Sequence, residues 1–194
     1  MKKVIPIVLV ILLPFLWIGC GYNEMQRLEE GVFTAWADID STLQRRMDLI
    51  PNLVNTVKGY AKYERDTFEA VVRARSAATN SQMSSKDLSN PEAMAQYQQN
   101  QNALSSSLSR LMVVVERYPE LKADKQYSDL MHQLEGTENR INVARTRYND
   151  AVNKFNYSIR KFPNKIINDN FLHLERKEFF KADEQAKEVP KVEF

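Results

Sequence analysis

Two histidines and one cysteine bound the chemistry this chain of 194 residues can attempt. Asp129-Leu130-Met131-His132 sets a carboxylate and an imidazole three residues apart, on one face of a helix. Metal-binding helical bundles use that spacing in Glu-x-x-His segments, but they need two copies and further inward carboxylates. Here there is one imperfect copy, and His173 lies beyond the helical patterns, so the pair reads as a surface pair. Cys20 closes an apolar run with no histidine placed to activate it as a nucleophile. No glycine-rich phosphate loop and no Ser/His/Asp spacing stands out. The expectation is a protein that is not an enzyme and carries no metal or cofactor.

The remaining polar residues gather in three places. Arg45, Arg46 and Asp48, with Asn52 after them, surround Pro51. They can serve as caps and local ion pairs across a turn, or as a docking surface, since arginine is frequent at binding hot spots. Farther on, Arg140, Arg147, Lys154 and Lys161 repeat every seven residues. This is either a solvated helix flank or, at the end holding Lys154, Arg160, Lys161 and Lys165, a contact for anionic headgroups. Asn142, Asn149 and Asn156, with Asn139 and Asn153 beside them, form a parallel seam. Buried amides must be paired, so this seam is either a row of interhelical hydrogen bonds fixing register or a partner-binding strip.

Helices must position all three groups. Apolar residues recur three and four apart through four stretches, and sustained strand-like alternation is missing. The spacing predicts helices over 24–47, 49–78, 91–118 and 123–162. Asp48 would cap the second helix, with Pro51 in its first turn, and Asn90-Pro91 would open the third. Pro119 and Pro163 bound the fourth, and residues 76–90, rich in Ser, Asn and Ala, form a flexible loop. Short connections between helices of matched length indicate an all-α, antiparallel up-down-up-down four-helix bundle. The corner at 47–51 would then be its far tip, beside Tyr118-Pro119. After Pro163, Phe171, Leu174, Phe179 and Phe180 suggest a short helix or an arm folded back on the bundle.

The N-terminus gives location. Lys2 and Lys3 precede a run without charge from Val4 to Asn23, about long enough to cross a bilayer. It reads either as a transmembrane anchor or as a lipoprotein signal cleaved before Cys20, which would carry the lipid. Gly19 and the place of Cys20 at the end of the run fit processing; Trp17 does not. Under both readings the positive-inside rule exports the rest of the chain. Basic and acidic residues nearly balance, 27 against 25, so nucleic acid is not an expected partner. The division expected is an anchor or signal over 1–23, a helical domain over 24–180 and an extended tail over 181–194.

Tyr22-Asn23, Ala35-Trp36, the run from Arg45 through Pro51 to Ala61, and Arg73-Ala74-Arg75 closely resemble the LemA family. Ala144 to Asn149, Phe162-Pro163, Phe179-Phe180 and the closing Pro190 to Phe194 are also similar to that family. The resemblance implies a bacterial membrane-anchored protein with a helical-bundle domain, and supplies no activity. The combined expectation is a scaffold or docking module for an unidentified envelope protein. The alternative is a lipid- or cell-wall-binding module acting through the basic end.

Overall fold

Met25, Val32, Trp36, Ile39, Leu43 and Met47 recur at helical steps, and Ile50, Leu53 and Val57 continue the series without a phase break. All are buried. The helix follows the stripe. The computed structural model describes residues 4–61 and 63–181, with backbone alone for 4–20. In it α1 extends unbroken over Val4–Tyr60, 57 residues or about 86 Å.

The corner expected at 47–51 is therefore absent, and Pro51 lies inside a helix. An interior proline removes the N–H that would bond the carbonyl four residues back, at a cost of about 3 kcal/mol or more. That carbonyl belongs to Met47, and the Nε of Arg75 donates to it at 2.9 Å. The guanidinium replaces the missing donor, and the apolar stripe on both sides holds the rest of the helix together. Asp48 is not a cap. It accepts a hydrogen bond from Gln44 Nε2 at 2.9 Å on the exposed surface of α1.

The chain turns only after Tyr60 and enters α2 at Arg65 (Arg65–Asn80), which has only 16 residues. There follow a 3-10 turn at Asp87–Ser89, α3 (Pro91–Val115), α4 (Pro119–Lys122), α5 (Lys125–Ser158) and α6 (Asn164–Ile167). A π-turn over Asn168–Leu172 ends at His173, whose φ of 51° is left-handed. No strand occurs among the described residues. Asn90 caps α3 as its spacing suggests, its side chain accepting from the N–H groups of Glu92 and Ala93 with Pro91 in the first turn.

The helices have unequal lengths, and that shapes the core. α5 lies antiparallel to α1: the Trp36 and Tyr148 rings lie 5.5 Å apart, and Arg46 reaches Glu138 at 3.1 Å. α2 returns along α1 from the Tyr60 end, where Lys58 stands over the Phe68 ring, as far as Met47, whose carbonyl Arg75 reaches. There Leu53, Val57, Phe68, Leu104, Leu111 and Leu121 form one core cluster. A second cluster fills the Gly21 end, centred on Trp36 with Tyr97 and Tyr148, whose rings lie 5.3 and 5.5 Å away. α2 meets it only at its C-terminal end, where Ala78 and Thr79 line a small cavity with Leu43 and Tyr97. Residues 81–90 and the segment after His173 close that side instead.

The anchor expected over 1–23 falls mostly on residues whose side chains lie outside the description, Cys20 among them. Among the described residues no helix is long and apolar enough to cross a membrane. The tail expected over 181–194 is likewise outside the description beyond Lys181.

Candidate functional site

The arginine pair before Pro51 splits between two environments. Arg45, Asp48 and Asn52 project from the exposed face of α1. Arg46 falls three residues after Leu43 and four before Ile50, and so sits on the buried stripe. Only 1% of it is exposed. Its guanidinium donates to Gln101 Oε1 at 2.5 Å, Glu138 Oε2 at 3.1 Å and Ser105 Oγ at 3.2 Å. Nε finds no partner among the described residues. Burial pulls the guanidinium below its ordinary pKa, and the Glu138 charge opposes that shift. Arg46 is thus a core residue bonding α1 to α3 and α5, not part of a docking surface. Gln101 lies on the apolar stripe of α3, a position where a buried polar partner could have been anticipated.

The basic stretch running from the end of α5 into α6 is partly neutralised from within. Lys161 bonds both carboxylate oxygens of Glu24 at 3.1 Å, and Lys165 bonds Asp169 at 2.6 Å. Lys154 and Arg160 are exposed. Tyr157 and Phe162 line a hollow with Arg160, and they, Ile166 and Phe171 expose most of their surface, Phe162 as much as 81%. Gly21 packs here too: a Cβ on it would lie 2.6 Å from Asn164 Oδ1 and 2.9 Å from Ile167 Cδ1. That close approach brings α1 against α6, just where the apolar run of the sequence ends.

The asparagine seam does something other than join helices. Asn156 donates to the carbonyl of Lys177 and accepts from its N–H, both at 2.9 Å. Asn149 does the same with Phe180, again at 2.9 Å in both directions. Asn168, which the spacing did not single out, holds Leu174 in the same way at 3.0 and 2.8 Å. Tyr148 donates its hydroxyl to the carbonyl of Glu178 at 2.9 Å, and burial raises its pKa so that it remains a donor. The Glu178 N–H goes to the Leu88 carbonyl at 2.8 Å, and Gln98 pairs with Phe179 and Lys181 at 3.2 Å. Asn142, Asn139 and Asn153 lie on the exposed surface.

The arm at 174–181 is therefore extended, not helical, and its backbone is satisfied largely by side chains of the helices. Its own side chains fill two recesses. Lys177, 8% exposed, reaches Glu29 Oε1 at 2.9 Å and stands over the rings of Phe33 and Phe155 at 5.4 and 5.6 Å. Phe180 meets the Tyr97 ring edge-on at 6.3 Å, with the Arg145 guanidinium 4.6 Å from its centroid. Asp129 and His132 are exposed on α5, and no group of three or more His, Cys, Asp or Glu residues able to hold a metal occurs among the described residues.

Comparison with known proteins gives a consistent relation. A model of the LemA family matches residues 35–194. Protein LemA of Metamycoplasma hominis is 25% identical over 148 residues, covering 76% of this chain and 63% of that protein. Magnetosome protein MamQ 2 of Paramagnetospirillum magneticum is 26% identical over 161 residues, covering 73% of this chain and 58% of its own length. MamQ of Magnetospirillum gryphiswaldense is 25% identical over 158 residues with the same coverage, 73% and 58%. The matches thus span about three-fifths of the length of these relatives.

Proposed function

The chain belongs to the LemA family, and from that premise we propose that it is a membrane-anchored, non-enzymatic helical scaffold that docks another protein of the bacterial envelope on the exported side. The observation that carries this reading is the unbroken α1. A single helix continues from the apolar run into the domain core, so the domain is held on a stiff support rather than a linker. Asp48 stands about 40 Å along that helix from Gly21. Arg45, Asp48 and Asn52 lie three and four residues apart on one exposed strip, which moves the docking surface from a tip to the side of α1.

A photo-crosslinking residue at Asp48, activated in intact membranes, tests the reading. A discrete adduct is expected, lost when Arg45→Ala and Asn52→Ala are added. No adduct at Asp48, or one indifferent to those changes, removes the strip as a docking surface.

The Gly21 end supports a second reading, contact with lipid headgroups. Exposed Tyr157, Phe162, Ile166 and Phe171, with Lys154 and Arg160, form the mixture of aromatic and basic groups that suits a membrane interface. A chain lacking residues 1–20 should co-sediment with anionic vesicles and be released by salt. Equal binding to neutral vesicles would sink the idea.

A further inference from the structure

The segment after His173 occupies its groove as a bound peptide would. Asn149 and Asn156 lie two helical turns apart on α5, about 10.5 Å along the axis. The residues they clamp, Phe180 and Lys177, are three apart. Three residues spanning that distance run at about 3.5 Å each, the rise of a fully extended chain. Asn168 adds a third clamp at Leu174, three residues earlier still. Each amide reads one N–H and one carbonyl, so these contacts hold any extended backbone in register. Selectivity comes from the recesses: a carboxylate and two aromatic rings for Lys177, and Tyr97 and Arg145 for Phe180. Main-chain bonds for affinity and alternating pockets for specificity are the two parts of a peptide-recognition site.

Only one residue separates this arm from the helical body. His173 is held at φ 51° without being glycine, a left-handed conformation that L side chains adopt only at a cost. An arm that leaves its groove relaxes that residue. It then presents Leu174, Lys177 and Phe180 at the spacing that the identical groove of another molecule accepts.

We propose that this groove binds peptide in trans as well as in cis, and that its trans ligand is the arm of a second copy of this chain. Reciprocal exchange re-forms every hydrogen bond and the Lys177–Glu29 ion pair, so the two arrangements differ mainly in chain entropy and in the strain at His173. A short tether gives the arm an effective concentration of roughly millimolar in cis. Dilute chains stay closed, and copies crowded in one membrane exchange.

The ion pair supplies the test in the wild-type full chain. Carbodiimide joins a carboxylate and an amine in contact, and Glu29 and Lys177 lie 2.9 Å apart. With chains packed densely in vesicles, the Glu29–Lys177 crosslink is expected in a species of doubled mass as well as within single chains. Glu29→Gln should remove both. Crosslinks confined to single chains at every density overturn the proposal.

Charge reversal provides a second measurement that does not depend on the crosslinker. A Lys177→Glu chain and a Glu29→Lys chain each have a mismatched groove in cis, but both grooves are matched when arms are exchanged. Mixing them should double the mass in detergent solution. Each chain alone, and the Glu29→Lys/Lys177→Glu double variant, should remain single. A mixture that stays single while both chains keep their helical content overturns the proposal as well.

Discussion

Replacing Arg75 with methionine tests how α1 survives its proline. Methionine keeps much of the apolar stem and removes the donor. The Met47 carbonyl then has neither the N–H that Pro51 lacks nor the Arg75 Nε that now lies 2.9 Å from it. Met47 is buried, with 3% of its surface exposed, so water does not readily take over. Leaving a buried acceptor unpaired costs about 1–3 kcal/mol. For a domain of this size each kcal/mol moves Tm by about 2–4 °C, so Arg75→Met should lower Tm by roughly 4–8 °C at a central cost of about 2 kcal/mol. The decisive comparison is the same change in a Pro51→Ala background. Alanine returns an N–H to position 51, the carbonyl regains its helical partner, and Arg75→Met should then cost under about 1 kcal/mol. Urea unfolding of the four chains gives a coupling energy of about 1–2 kcal/mol if the two donors substitute for each other. Equal costs in both backgrounds would refute the substitution.

Arg46→Ala should destabilise the chain by about 1–3 kcal/mol in urea unfolding, because the buried Gln101 loses its partner while Glu138, 43% exposed, can turn to water. Arg45→Ala, on the exposed face of α1, should stay within about 0.5 kcal/mol of the parent chain. Asn156→Ala leaves the N–H and carbonyl of Lys177 unpaired, a local cost of about 2 kcal/mol that should speed amide exchange at Lys177 roughly 30-fold and leave α5 protected. At the far end, Asp124 caps α5 through the Tyr127 N–H and accepts from the Tyr60 hydroxyl, and both bonds hold its carboxyl below the usual value of 3.8. A lowered folded pKa means that the cap contributes fully above about pH 4 and is lost as pH falls through the folded value. The protection of amides at the start of α5, relative to their intrinsic exchange rates, should therefore fall below pH 4 in the parent chain, and Asp124→Asn should abolish that fall.

How legible the fold was depended on whether a partner was local. The start of α3 is legible because Asn90, its cap, stands directly before Pro91. The apolar stripe of α1 was readable as well, yet Pro51 suggested a break. The donor that repairs it is 28 residues away on another helix, and no local pattern announces it. Arg46 misled for a related reason: arginine is rarely buried unpaired, and its partners Gln101 and Glu138 lie on other helices. Leu174 and Phe180 announce the arm in the sequence without deciding between a helix and a strap. Its backbone is satisfied by side chains at a three-residue step, a period belonging to neither helix nor sheet. Asn149 and Asn156 stood out by their spacing, and what they hold became clear only in three dimensions.

The continuity of α1 through Pro51 is the claim on which the scaffold reading stands, and a spin-label distance tests it directly. Ala37 and Asn55 are both exposed and lie five helical turns apart on one face of α1. With Cys20→Ala as background, cysteines at these two positions can carry the labels. One unbroken helix puts their Cα atoms about 27 Å apart, with a narrow distribution. A corner at 47–51 would fold the second label back beside the first helix, at roughly 10 Å, the spacing of packed neighbours. A single narrow peak near the longer distance is the expected result, and a peak at the shorter one would contradict the continuous helix and the scaffold built on it.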